Sequence, residues 1–487
     1  MRSGRPMTDP QPYRQALRHF FHNVCLLLML AIAVPGTLSA DLNLPDMGDP
    51  SAATLSPGQE QQLGRTLLRE VRRTLPLEQD PLINAYVQAL GQRLVSSTPD
   101  AHAHFRFLVV DDPRINAFAM PGGIVGVNTG LIAAARDESE LAAVIAHEIA
   151  HVTQRHLARM YADSARIDLA TGLAMLAGII AAAYDPQLGQ AAIVGGMAAG
   201  TQARINHTRA NEQEADRIGI SILAAAEYDP HSMPRFFERM LQLSRANPDS
   251  IPDFLRTHPV TTARISDSRA RADQYEDRDY RRDSTEFVFT LARVKARIDA
   301  AQTVAEFQRG RDQDKPEARY GYAVALLERG ETTAAREAID ALTDEDAPRL
   351  SLQLLRAEIA QRERRLADAL SILEGLNDIY PRHAPVIHAY AEVLLDARRP
   401  EDALALLDRY LAQSPDDPQL IRLKARAADQ AGQRAVSHET MAEYYFYLGR
   451  YGESLHQLEM ALQAPDLTAF VEERVRDKRN IVRDWVR

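Results

Sequence analysis

Leu141-Ala-Ala-Val-Ile-Ala-His147-Glu148-Ile-Ala-His151-Val152 is the stretch on which the reading of this chain turns. Leu141, Val144, Ile145, Ile149 and Val152 recur at helical spacing, so the segment reads as a buried amphipathic helix. Asp137, with Glu140 three residues on, places a capping-box pattern at its start. Helix positions four apart differ by about 40° and about 6 Å, which puts them on one face. His147 and His151 therefore project two imidazoles side by side, as a tetrahedral zinc ion requires. Glu148 is one residue round from His147, beside the metal rather than on it, where it can take a proton from the attacking water. Two satisfied core histidines would give the same motif. A catalytic centre needs a third protein ligand.

Some sixty residues later Asn211-Glu212-Gln-Glu214-Ala-Asp216-Arg-Ile-Gly219 offers one. Ile205, Ile218, Ile220 and Leu223 indicate helix here too, with Glu212 and Asp216 on one face. Glu212 would ligate the zinc. Asp216, one turn on, can accept the Nδ1 hydrogen of a ligand histidine and fix its tautomer. An isolated ExxxD is more often a solvated helix face, but paired with HExxH it reads as part of the metal centre.

HEIAH followed by NEQEADRIG resembles the gluzincin group that includes the CAAX prenyl protease, HtpX and the mitochondrial Oma-type proteases. The segment Ile115-Asn-Ala-Phe-Ala-Met-Pro-Gly122-Gly123-Ile-Val-Gly-Val-Asn-Thr-Gly130-Leu131 matches the strand pair that precedes the zinc helix there. Within that group the chain is similar to the periplasmic beta-barrel assembly-enhancing protease family, in which a tetratricopeptide array follows the protease. The resemblance covers roughly residues 57–275 and continues into the array. It implies a mainly α fold: an α+β zincin-like metallopeptidase domain with a small β-sheet, then an α-solenoid of tetratricopeptide repeats. It also implies endopeptidase chemistry and one Zn2+ per chain. In gluzincins the strand nearest the zinc helix is an open edge to which an extended substrate adds by main-chain hydrogen bonds. By resemblance Ile124, Val125, Gly126, Val127 and Asn128 would line that edge; a hairpin that merely packs on the helix is the alternative.

Thr257-His258-Pro259-Val-Thr-Thr-Ala-Arg264-Ile265 matches the family's HPxxxxRI segment. A His before Pro is more often a loop residue, but the resemblance makes His258 a site candidate. Its imidazole on the metal would fill the water's position and hold the enzyme inactive. Displaced slightly, protonated His258 or Arg264 could instead stabilise the oxyanion of the tetrahedral intermediate. Both roles stay open.

Four further features bound the answer. With 487 residues, two domains are expected. Residues 1–40 read as a signal peptide, with Arg2, Arg5, Arg14 and Arg18, a short apolar core over 26–34 and a cut near Ala40; an uncleaved anchor is the alternative. Cys25, the one cysteine, would leave with it, so the mature protein has no thiolate chemistry. The net charge of −10, more acidic still without that leader, argues against nucleic acid as a partner.

After a linker over 41–56, the enzyme domain is expected over 57–275, with helices near 59–75 and 82–97 and a strand at Phe105–Val110. The Ala/Gly-rich stretch Asp168–Arg204 reads as two buried helices, or alternatively as an apolar flap or a surface in peripheral contact with lipid. His156 falls about 140° round the helix from His151 and is expected to face away from the metal. With His102, His104 and His207 it is read as solvated or structural.

A charged passage opens a connecting segment over 276–300, and the repeat domain follows over 301–487. There Ala323, Ala357, Ala391 and Ala425 stand 34 residues apart, as do Ala335, Ala369, Ala403 and Ser437. That period, with small residues where paired helices meet, marks tetratricopeptide repeats, whose stacked surface binds segments of other proteins. The resemblance implies unfolded or misassembled polypeptides as clients and makes the outer-membrane barrel assembly machinery a candidate partner of the repeats. Two functions follow: a periplasmic zinc endopeptidase acting on stalled outer-membrane proteins, or a tetratricopeptide chaperone or adaptor with a latent or structural zinc site.

Overall fold

A computed structural model describes residues 56–98, 104–163, 201–246, 251–276, 278–310, 313–343, 345 and 348–486. The leader with Cys25, His102 and most of the stretch 168–204 lie outside the described residues. Among the described residues no helix is long and apolar enough to cross a membrane.

Two helices open the fold, α1 (Pro57–Thr74) and α2 (Pro81–Ser96). Ser56 and Gln59 form a reciprocal capping box on α1, and the Asp80 carboxylate caps α2 by accepting from the Leu82 and Ile83 amides. Three strands follow: β1 (Arg106–Val110), β2 (Ala117–Met120) and β3 (Ile124–Asn128). Their spatial order is β1-β3-β2, with β1 parallel and β2 antiparallel to β3. The strand expected at the open edge, Ile124–Asn128, is therefore the central one, buried throughout. Adjacent hydrophobic runs specify a hairpin, but the parallel pairing that closes the other side of β3 comes from β1, a partner the hairpin pattern does not name. Among the described residues the free edge beside the helix that carries His147 and His151 belongs to β2.

The Pro121-Gly122-Gly123 turn between β2 and β3 presses on α1. Gly122 has φ +80°, and a Cβ on Gly64 would lie 2.7 Å from the Gly122 Cα and the Pro121 carbonyl oxygen. Backbone stands against backbone there, so no side chain can yield. Gly64→Ala is expected to destabilise the protein by about 1–3 kcal/mol, read as a lower urea midpoint.

Helix α3 (Thr129–Ala134) leads to α4 (Glu138–Thr153), which lies across the sheet with every residue from Glu138 to Ala150 buried. Its apolar side fills the core, and its polar side faces the site rather than water. The Asp137 carboxylate accepts from the Glu140 amide, but Glu140 itself reaches the Arg136 amide and the Arg239 guanidinium, so the expected box is half formed. The N-terminal unit is completed by α5 (His156–Asp163), α6 (Thr201–Ala225), α7 (Ser232–Ala246), α8 (Asp253–Thr257) and α9 (Thr262–Ala272).

Helix α10 (Thr285–Ile298) belongs to both halves of the molecule. Phe287 and Val294 enter the core around α4, while Phe289 and Ala296 enter that of the first repeat. Antiparallel helices continue through α11 (Ala300–Gln308), α12 (Pro316–Glu328), α13 (Thr332–Asp340), α14 (Arg349–Arg362) and α15 (Leu366–Ile379). They end with α16 (Ala384–Asp396), α17 (Pro400–Leu411), α18 (Pro418–Gln430), α19 (Arg434–Tyr447), α20 (Tyr451–Leu462) and α21 (Ala469–Val486). All eight small residues of the 34-residue period are buried, and Ser437 gives its hydroxyl to the Ala425 carbonyl at 2.9 Å. The array curls back onto the N-terminal unit: Asp416 pairs with Arg106, and the Arg69 guanidinium lies 4.6 Å from the Phe446 ring centre and 4.4 Å from that of Trp485.

Candidate metal centre

Two helices supply the donors. On α4, His147 and His151 rise from successive turns, their Nε2 atoms 3.0 Å apart. Helix α6 crosses against α4, and Gly219 permits the approach, since a Cβ there would lie 3.2 Å from the His147 amide nitrogen and 2.8 Å from the Met233 methyl. This crossing brings Glu212 to 3.5 Å from His147 Nε2 and 3.4 Å from His151 Nε2. His258, at the C-terminal end of α8, places Nδ1 3.3 Å from His147 Nε2 and 3.1 Å from Glu212. Phe254 stacks on the His258 ring at 5.0 Å and fixes its plane.

These spacings test the site for a cation. Ligands about 2.0–2.1 Å from a tetrahedral ion stand about 3.3 Å from one another; the contacts given above run 3.0–3.5 Å, and the whole donor set lies within 4.8 Å. His147 turns Nδ1 toward the Asp216 carboxylate, 3.1 Å away but off hydrogen-bond geometry, and a negative charge there favours a proton on Nδ1 and a free Nε2 facing inward. Nitrogens of two imidazoles and a carboxylate oxygen crowd one buried point, where their lone pairs repel unless a cation or a shared proton lies among them. A divalent ion resolves that conflict, and the donor set fits one.

Charge in the cluster is polarised accordingly. Burial opposes a charge on His147, but Asp216 and Glu212 raise it to about 10; burial pushes His151 down to about 3. Against its own burial, Glu212 is held well below the usual carboxylate range by His258 and the two other histidines. Burial raises Glu148, whose Oε1 is 3.3 Å from His258 Nε2.

Arg264 stands elsewhere than expected. Its guanidinium holds Asp216 at 2.7 and 2.8 Å, Glu212 at 2.9 Å and the Pro259 carbonyl at 2.8 Å. It lies behind the carboxylates and is fully engaged there, so it is not free to meet an oxyanion. The HPxxxxRI spacing tells which residue enters the site but not from which side.

His156 does not face away. Helix α4 stops at Thr153, Arg155 adopts φ +51°, and the chain turns so that His156 opens α5 buried against His151. The 140° estimate assumed one continuous helix. His156 Nδ1 is 2.9 Å from His151 Nδ1, and its Nε2 is 3.1 Å from Glu214, which also accepts from Arg159 at 2.7 Å. Neither His156 nor Glu214 was a candidate from sequence, although Glu214 sits within the same NEQEAD run. His104 is exposed ahead of β1.

A helix bearing HExxH, a crossing helix bearing the glutamate and a small sheet beneath define a metallopeptidase. Comparison with known proteins agrees. The model of peptidase family M48 matches residues 81–272, and a tetratricopeptide repeat model matches 360–427. The beta-barrel assembly-enhancing protease of Escherichia coli (strain K12) is 32% identical over 456 residues, 92% of this chain and 93% of the relative. A putative beta-barrel assembly-enhancing protease of Vibrio cholerae is 35% identical over 459 residues, 92% and 94% of the two chains. The mitochondrial metalloendopeptidase OMA1 of Arabidopsis thaliana is 36% identical over 152 residues, 31% of this chain and 28% of the relative. The chain belongs to the beta-barrel assembly-enhancing protease family and is a metalloendopeptidase followed by tetratricopeptide repeats.

Proposed function

We propose that the protein is an exported, periplasmic zinc endopeptidase that cleaves misfolded or stalled outer-membrane proteins and assists their assembly. The observation that carries this reading is the convergence of His147, His151 and Glu212 with the Glu148 carboxyl buried beside them. Two imidazoles and a carboxylate are a donor set of catalytic zinc. The leader over residues 1–40 supports export, and the relatives' names supply barrel assembly as the setting.

Zinc held there would supply a Lewis acid for the scissile carbonyl. The Asp216 charge 3.1 Å from His147 Nδ1 favours the tautomer that presents Nε2, and Arg264 fixes Asp216 and Glu212 in place. Glu148 takes the proton of the attacking water and returns it to the leaving amine. An extended client would add to the free edge of β2, Ala117–Met120, in place of the central strand. The repeats would hold the client or the assembly machinery.

His258 acts in this reading as a gate. Its Nδ1 joins the donor set while its Nε2 reaches Glu148, so the ring fills the room between metal and base that the attacking water needs. A gate closed nine-tenths of the time would release about tenfold more activity when removed. His258→Ala is therefore expected to cleave an unfolded client such as casein about tenfold faster than the parent, with zinc retained and activity lost on chelation. An unchanged rate rules out the gate, and a chelator-resistant rate rules out the metal mechanism.

The fourth donor also favours a second reading, because four protein ligands close a structural zinc site. A tetratricopeptide chaperone with a latent centre would then keep its assembly function in a Glu148→Gln protein. The buried base at Glu148, which a structural site does not need, places this reading second.

A further inference from the structure

We propose that His156 and Glu214 form a relay that positions the ring of His151 for the metal. The proposal rests on the reading of His147, His151 and Glu212 as metal ligands. Hydrogen-bond arithmetic carries it. His151 turns Nε2 toward His147 and Glu212, so to ligate through that atom its proton must sit on Nδ1. Among the described residues the partner at that Nδ1 is His156 Nδ1, 2.9 Å away, with the rings edge to face at 79°. His156 must then accept through Nδ1 and carry its own proton on Nε2, which points to the Glu214 carboxylate at 3.1 Å. Arg159 closes the chain with its 2.7 Å bond to the same oxygen.

The relay gives α6 a consistent design. Glu212 ligates, Asp216 orients His147 directly, and Glu214 orients His151 through an intervening imidazole. The left-handed turn at Arg155 is what brings His156 back behind the ligand. Without an acceptor at His156, the buried Nδ1 hydrogen of His151 would have no partner, and the ring would be free to present the wrong nitrogen.

Zinc affinity of the full mature chain, measured by competition with a chromogenic chelator, tests this. Loss of such a supporting partner typically weakens metal binding about 10–100-fold. His156→Phe keeps the ring volume and removes the acceptor, so it is expected to lose that factor. His156→Asn offers its side-chain oxygen near the Nδ1 position and is expected to recover most of the affinity. Glu214→Gln should weaken binding less than His156→Phe. If His156 merely packs, the order reverses: phenylalanine would bind zinc like the parent and asparagine would suffer from the cavity. That reversed order overturns the relay and leaves the metal site standing. A parent whose zinc affinity is unmoved by His147→Ala overturns the ligand assignment itself, and the relay with it.

Discussion

Glu148→Gln is expected to keep one zinc ion per chain and to lose client hydrolysis by about 10²–10⁴-fold, the range of a general base. Glutamine matches the glutamate in volume, and Glu148 is not among the ligand atoms, so the donors from His147, His151 and Glu212 are left in place. What disappears is an acceptor for the proton of the attacking water. The parent carboxyl is 1% exposed, and burial raises its pKa, which strengthens its hold on a proton it must carry to the amine. Metal analysis and casein cleavage on the same preparation check the two halves of the claim. A glutamine variant with full zinc and parental rate would remove Glu148 from the mechanism.

The second large effect concerns stability. Arg293 on α10 is buried where enzyme and array meet, bonded to Asp80 at 2.6 Å, to the Tyr320 hydroxyl at 3.3 Å and to Glu358 at 3.2 Å. Arg293→Met keeps the aliphatic bulk and leaves the buried Asp80 carboxylate with only the more distant Arg297, 3.8 Å away, at a cost of about 3 kcal/mol, the low end for a broken buried pair. Adding Asp80→Asn should restore much of that loss, because asparagine is uncharged and still caps α2. Urea unfolding of the parent, both single variants and the double variant measures the coupling; a simple sum of the single effects would refute it. The pH dependence has a definite sign. Although burial opposes it, Arg293 and Arg297 hold the folded Asp80 carboxyl below its ordinary 3.8. The pair's contribution is therefore complete at neutral pH and is lost as pH falls below about 4, through the folded pKa. The gap between parent and Arg293→Met should narrow in that range.

Local pattern carried a large share of this structure. The i, i+4 histidines lie on one helix whatever surrounds it, because a turn of 3.6 residues puts them on one face. The 34-residue alanine period marks the sites where the array's paired helices touch, and each of those residues is buried. His147, Glu148, His151 and Glu212 were therefore legible as a group from spacing and residue type, and the structure brings all four together.

Spacing alone left the rest undetermined. The hairpin of β2 and β3 was visible, but β1 took the outer side of β3 and, among the described residues, left the free edge to Ala117–Met120. Arg264 entered the site from behind the carboxylates, and helix α10 proved common to both cores rather than a connector. His156 came back to His151 because one residue, Arg155, adopted a left-handed conformation that no periodicity predicts. Residues within one helix or hairpin are related by a backbone repeat that the amino-acid order spells out. Strand order, the side from which a side chain enters and the reversal at a single residue depend on which distant surfaces bury one another, and tertiary packing alone decides them.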